Sequence, residues 1–262
     1  MSEPGTKTAF ITGASSGIGE AFARRLARDG YDLILVARRK QLLFEIAQEL
    51  SETFGVTVSI EPADLGRDED VSRLEERVRG AGHLAMLINN AGFTTDAKSI
   101  EAGLEVQLDM IKVHDVATLR LIHAALPGMR ARRAGAIINV ASLAGMLPTP
   151  YNATYNATKS FLVALTEGLH QELAANGVRG IRVQALCPGY THSGFHETAG
   201  ASREVSERMW MTSEEVADES LAALEKGTVV FIPGGKNRLM VTLMLAFPRA
   251  LRYRLARMVD KD

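Results

Sequence analysis

Residues 8–19 read TAFITGASSGIG, a short apolar strand that runs straight into a glycine-rich turn. A helical stretch over residues 19–29 follows directly. Gly13, Gly17 and Gly19 give the spacing GxxxGxG, which differs from the commoner GxGxxG. Glycines let the chain turn sharply and bring backbone amides close to a phosphate. The helix N-terminus adds donors and a partial positive charge. Standing at the first strand–helix junction of the chain, the turn reads as a cradle for the pyrophosphate of a dinucleotide.

Outward from this turn, apolar strands alternate with longer amphipathic segments. Strands are expected at residues 32–37 (DLILVA), 56–60 (VTVSI), 84–88 (LAMLI), 136–141 (AIINVA), 182–186 (RVQAL) and 228–232 (TVVFI). Helices are expected at 40–53, 69–79 and 160–175, with Gly30, Gly55 and Gly177 as left-handed caps after helical stretches. Nearly continuous apolar runs are the mark of parallel strands buried on both faces. The pattern predicts an α/β fold, a doubly wound sheet of about seven parallel strands with helices on both faces. Residues 1–235 form one catalytic domain in this reading, and residues 236–262 a basic, amphipathic helical extension.

Composition narrows the function classes. The chain has 262 residues, 46% apolar and 23% charged, and needs no disulfide staple to hold a core. Thirty Lys and Arg stand against thirty-one Asp and Glu, a net charge of −1 that argues against a dedicated nucleic-acid binder. The lone cysteine, Cys187, excludes an intrachain disulfide. The start MSEPGTKTAF lacks the pattern of a secretory signal. The apolar run 239–247 (LMVTLMLAF) falls short of the roughly 20 residues that a spanning helix needs. A cytoplasmic protein, soluble or at most peripheral to a membrane, is expected.

After the second strand comes Ala37-Arg38-Arg39-Lys40, where an NAD-binding chain usually carries an acid for the ribose hydroxyl. A basic residue there suits the 2′-phosphate of NADP(H), and one charge-assisted contact of about 1.5–3 kcal/mol gives a preference of one to two decades over NAD(H). Further on, Tyr155-Asn156-Ala157-Thr158-Lys159 opens a helix, so Tyr155 and Lys159 share a face. A nearby ammonium would draw the phenol down from about 10 towards neutrality and make it a general acid or base. Ser142 ends the strand AIINVAS, where strand ends line the ligand crevice of a doubly wound sheet.

TGASSGIG, NNAG at residues 89–92, Ser142, YNATK and CPG at 187–189 occur in one order and spacing. In these five motifs residues 5–235 resemble the short-chain dehydrogenase/reductase family, in its single-domain Rossmann-type branch. The wording CPGYTHSGFHE and MWMTSEEVA is similar to largely uncharacterised bacterial reductases. The resemblance implies an NADP(H)-dependent oxidoreductase that moves a hydride between the nicotinamide and a carbonyl or alcohol. Tyr155 would give the carbonyl oxygen its proton. Lys159 would lower the tyrosine pKa and bind the nicotinamide ribose, and Ser142 would polarise the carbonyl. The cofactor positions it implies are Gly13, Ser15, Ser16, Gly17, Ile18 and Gly19 in the turn, and Arg38 with Arg39 at the 2′-phosphate. Asp64 and Leu65 match the adenine pair, and Asn90, Ala91 and Gly92 the adenine-side ribose. Pro188, Gly189, Thr191 and Ser193 match the carboxamide segment. A homodimer or homotetramer is implied, joined through the two long helices around His114 and Tyr155.

His114 departs from the family, which carries asparagine there to fix a helix distortion and a water that serves the lysine. Histidine also donates and accepts, so His114 is counted with the chemical set, while a packing role remains its plainer reading. A nucleotide-binding sensor weakened by His114 is the alternative function, opposed by the intact Ser142, Tyr155 and Lys159. His192, His196 and Glu197 lack metal-ligand order, so no metal is expected. Phe93, residues 143–151 and residues 190–210, including Met146, Leu147, Phe195, Met209 and Trp210, would wall the substrate site and favour an apolar ketone or aldehyde. The tail beyond Gly235 holds seven basic against two acidic residues, a surplus of +5. It suits a membrane surface, a cover for the substrate entrance or a neighbouring subunit.

Overall fold

The protein is described by a computed structural model over residues 6–95, 101–147, 150, 152–193 and 209–259, with backbone only for 255–259. The chain alternates β1 (Thr8–Thr12), α1 (Gly17–Arg28), β2 (Asp32–Ala37), α2 (Lys40–Phe54), β3 (Val58–Pro62), α3 (Asp68–Arg79) and β4 (Leu84–Asn89). A long helix follows in three parts, α4 (Leu104–Ile111), a π-helical turn (Lys112–Val116) and α5 (Ala117–Arg132). Then come β5 (Gly135–Val140), a 3₁₀ turn (Leu143–Gly145), α6 (Ala153–Ala175) and β6 (Ile181–Leu186). The chain closes with β7 (Thr191–His192), β8 (Met211–Thr212), α7 (Ser213–Glu225), β9 (Val230–Phe231), α8 (Gly235–Ala246) and α9 (Arg249–Val259).

Seven strands form one parallel sheet in the order β3-β2-β1-β4-β5-β6-β9. Side chains alternate between two cores, as the two-residue period of a strand requires. Ala9, Ile11, Leu33 and Leu35 face the layer with Phe22 of α1 and Val216 of α7. Phe10, Ile34 and Val36 face the layer with Leu74 of α3 and Leu121 of α5. Phe10 and Phe22 are wholly buried, each contributing about 1.5–3 kcal/mol of hydrophobic stabilisation.

Two strands differ from the expected bounds by more than one residue. The third begins at Val58, not residue 56, because the Asp32 carboxylate takes the amide of Thr57 at 2.8 Å and delays regular pairing. It runs on to Pro62, which an edge strand tolerates. The last strand shrinks to Val230–Phe231, since the Thr228 amide is held by Ala223 at the end of α7, 3.0 Å away. Gly30, Gly55 and Gly177 take the left-handed conformation expected of caps. Thr212 and Glu215 close a reciprocal capping box that starts α7.

Candidate active site

The strand order reverses direction between β1 and β4, and a cleft of about 720 Å³ opens at the carboxyl ends of these strands. That is where doubly wound sheets bind ligands. Gly13 and Gly17 have φ of 66° and 58°. A Cβ on Gly13 would come within 2.7 Å of Asn90 Nδ2, and one on Gly17 within 2.8 Å of Ser193 Cβ. The turn is therefore pressed between the end of β4 and the segment after β6. Asn90 clamps it, donating from Nδ2 to the carbonyls of Thr12 (2.9 Å) and Gly13 (3.2 Å). Thr12 Oγ1 accepts from the amides of Asn90 and Ala91 in return, at 2.9 and 3.0 Å. These side-chain bonds tie β1 to β4 where the regular ladder stops.

Every cofactor position anticipated above lines the cleft except Gly19. Gly19 packs beneath, where a Cβ would collide with the Gly13 carbonyl, so its role is close helix–turn packing. Arg38 borders the cleft and is exposed. Arg39 reaches back to the turn, donating from Nη2 to Ser16 Oγ at 2.6 Å and Ser15 Oγ at 2.9 Å. Its pull on Ser16 explains why this N-cap residue makes no side-chain capping bond, which leaves first-turn amides of α1 for an anionic ligand. Cradle, paired arginines and a cleft of this volume fit a dinucleotide. Val36, Ala37, Ala63, Thr94, Val113, Val140 and Ala141 also line it and were missed. Most stand at strand ends, which was the available signal.

Ser142, Tyr155 and Lys159 all line this cleft. Ser142 caps the 3₁₀ turn, its Oγ accepting from the Ala144 amide at 3.2 Å. That turn lies against α6 so closely that a Cβ on Gly145 would sit 2.6 Å from the Lys159 carbonyl carbon. Ser160 Oγ donates to the Gly145 carbonyl at 2.7 Å and fastens the contact. Lys159 is buried and donates from Nζ to the Val140 carbonyl at 2.9 Å, with its ammonium 5.6 Å from the Tyr155 ring centre. Burial pushes the Tyr155 phenol up to about 12, opposed by its hydrogen bond with Ser142. Burial also pushes Lys159 down to about 8 against the raising pull of Asp115. The shift of Tyr155 thus runs opposite to the expected lowering, because desolvation outweighs the Ser142 hydrogen bond.

His114 lies behind the cleft and does not border it. It is wholly buried in the π-helical turn, the helix distortion that the resemblance implied at this position. Nε2 accepts from the Phe93 amide at 2.9 Å, while Nδ1 lies 2.9 Å from Thr158 Oγ1. Thr158 Oγ1 donates onward to the Tyr155 carbonyl, so His114 Nδ1 is the donor of its pair. Burial and the Lys159 charge hold the ring well below its ordinary pKa, hence neutral. Both nitrogens are committed within the protein, and His114 joins the loop after β4 to the second turn of α6.

The expected substrate wall is met in part. Phe93 lines the cleft, but Leu143 and Met146 pack on a small core with Ala141, Leu162 and Cys187. Leu147 does not border the cleft, and Trp210 stacks on His192 with ring centres 4.7 Å apart. Phe195, His196 and Glu197 lie outside the described residues, among which no group of three or more His, Cys, Asp or Glu could hold a metal.

Residues 7–204 match the short chain dehydrogenase family. An uncharacterized oxidoreductase of Staphylococcus epidermidis is 35% identical over 86% of this chain and 93% of its own. A short-chain dehydrogenase from Sphingobium yanoikuyae, solved with NADPH, superposes with a TM-score of 0.82 at 34% identity, covering 93% of this chain and 97% of that one. A bulky-bulky ketone specific alcohol dehydrogenase from Comamonas testosteroni gives 0.78 at 31%, covering 94% and 97%. A short chain dehydrogenase/reductase from Burkholderia phymatum, solved with NAD, gives 0.80 at 25% identity. With its parallel sheet, glycine cradle and converging serine, tyrosine and lysine, the chain belongs to the short-chain dehydrogenase family and is an oxidoreductase of that type.

Proposed function

We propose that the protein reduces an apolar ketone or aldehyde with NADPH, or oxidises the matching alcohol, with Tyr155 as the proton donor or acceptor. The observation that carries this reading is one cleft lined by the glycine cradle and Arg38 together with Ser142, Tyr155 and Lys159. The cofactor, when bound, would supply or take up the hydride. In the reductive direction Tyr155, whose phenol burial raises to about 12, presents its hydroxyl hydrogen to the carbonyl oxygen. Ser142 Oγ offers a second donor to that oxygen and stabilises the charge growing on it. The Lys159 ammonium, fixed on the Val140 carbonyl, steadies the phenolate left behind.

Arg38 and Arg39 support a preference for NADPH, since two guanidinium groups stand where NAD chains place an acid. Phe93 on the cleft wall supports an apolar substrate, as does the bulky-ketone specificity of the Comamonas testosteroni neighbour. Oligomer formation through the long helices is supported by exposed Leu104, Leu108, Ile111, Val116 and Leu119, with Phe161 beside them on α6.

NADPH and NADH oxidation against a panel of apolar ketones, aldehydes and quinones tests the reading. Turnover should favour NADPH by at least about tenfold. Tyr155→Phe should abolish turnover and leave NADPH binding, followed by nucleotide fluorescence, unchanged. A Tyr155→Phe variant that keeps its activity overturns the assignment.

A further inference from the structure

The segment after Gly235 takes no part in the cleft chemistry, yet it presents an unusual surface. α8 buries only Asn237 and Val241. Asn237 is rooted by a bond from Nδ2 to the Pro233 carbonyl at 3.2 Å, and a Cβ on Gly189 would come within 3.0 Å of the same nitrogen. The base of α8 is thus anchored on the rim of the cleft. Outward, Leu239, Leu243 and Phe247 recur every fourth residue at 62%, 57% and 43% exposure, with Met240 alongside. Phe247 is extended ahead of Pro248, which turns the chain into α9 with Leu251 and Tyr253 exposed.

Charge decides what such a face can meet. Residues 236–254 contain Lys236, Arg238, Arg249, Arg252 and Arg254 and no acidic residue. Arg238 approaches Glu219 at 3.6 Å. Among the described residues, Arg249, Arg252 and Arg254 make no ion pair, and Arg252 Nε is enclosed without an acceptor. A second copy docking through this face by two-fold symmetry would set five positive charges against the same five. Apolar side chains flanked by arginines that reach past them are instead the chemistry of a helix lying in a lipid headgroup layer. No helix among the described residues is long and apolar enough to cross a membrane.

We propose that α8 and α9 are a docking face for an anionic phospholipid surface, held in the membrane plane with the Gly189 rim of the cleft turned towards the lipid. An apolar substrate of the kind proposed above could then pass from bilayer to cleft, a corollary that rests on that reading. Docking itself does not.

Flotation of the full chain with vesicles tests docking without any turnover assay. Vesicles of phosphatidylcholine mixed with phosphatidylglycerol should carry the protein at low salt and release it as salt rises. Vesicles of phosphatidylcholine alone should bind at least about tenfold more weakly. Replacing Arg249, Arg252 and Arg254 together by Gln should weaken anionic-vesicle binding by at least about tenfold, and Leu239→Glu with Leu243→Glu should remove it. Circular dichroism melts of both variants should match the parent, which separates lost docking from lost folding. No flotation with either vesicle, or equal flotation with both, overturns the proposal. So does a soluble oligomer that Leu239→Glu and Leu243→Glu split into smaller species, since the face would then belong to a second copy.

Discussion

His114 holds the Phe93 amide on one ring nitrogen and Thr158 on the other, so truncation strands both partners in a buried site. His114→Ala should destabilise the fold by about 2–4 kcal/mol and lower kcat, because Tyr155 loses its support through Thr158. Thermal melts and steady-state kinetics check this, and a variant with an unchanged melt would remove the bracing role. The titrating groups give a second expectation. Below about pH 8 both Tyr155 and Lys159 keep their protons, so reductive kcat should be level there. Above it, kcat should fall by about tenfold per pH unit as Lys159 discharges. The half-buried Asp115 carboxylate raises Lys159, so Asp115→Asn should move this limb to lower pH. Asp115 itself is raised to about 7 by burial, so the folded state holds its proton more tightly than the unfolded chain. The resulting penalty grows as pH rises from the ordinary carboxyl range to about 7, and Asp115→Asn should raise Tm at about pH 8 but not at about pH 3. None of this could be read from letters alone. The four-residue spacing brings Lys159 near Tyr155 but says nothing about depth, and depth reverses the direction of the tyrosine shift.

The long helix from Leu104 to Arg132 is interrupted by the π-helical turn at Lys112–Val116, which carries His114 inward while leaving Lys112 exposed. Sequence placed the chemical residues on the right elements because their signals are local: glycines at a turn, a serine at a strand end, tyrosine and lysine on one helical face. The clamp between Asn90 and Thr12 was hidden because it joins residues 78 positions apart. Sequence does not separate Met146 from a substrate wall, because apolar residues near a site look alike whether they line it or pack below it. Contacts between elements set the geometry of the site, and Gly145 is the sharpest case. A side chain there meets the backbone of α6, which cannot yield. Gly145→Val should push the Ser142 turn away from Tyr155 and cut kcat by at least about tenfold, with little change in NADPH affinity. An equal loss in nucleotide binding would show a general collapse instead.

At the scale of the whole molecule, the alternating pattern of strands and helices made the sheet legible, since burial on both faces leaves its mark on every strand. Assembly was less so, because exposed apolar side chains on α4 and α5 read in sequence like any core stripe. Leu108 and Leu119, 39% and 47% exposed, are the places to break the proposed subunit contact. Leu108→Glu with Leu119→Arg should yield monomers in sedimentation velocity, and an unchanged assembly would move the contact elsewhere. Cys187 gives the folded molecule a clock. Its thiol has no exposed surface and is pushed up to about 12 by burial, so a maleimide in solution cannot reach a reactive form of it. Labelling then counts the moments when the end of β6 lets go of Phe231, whose carbonyl receives the Cys187 amide at 2.8 Å. Because Pro188 and Gly189 follow directly on that strand end, a nucleotide that rests on them should lengthen the interval between openings, and the labelling rate becomes a stopwatch on occupancy of the cleft.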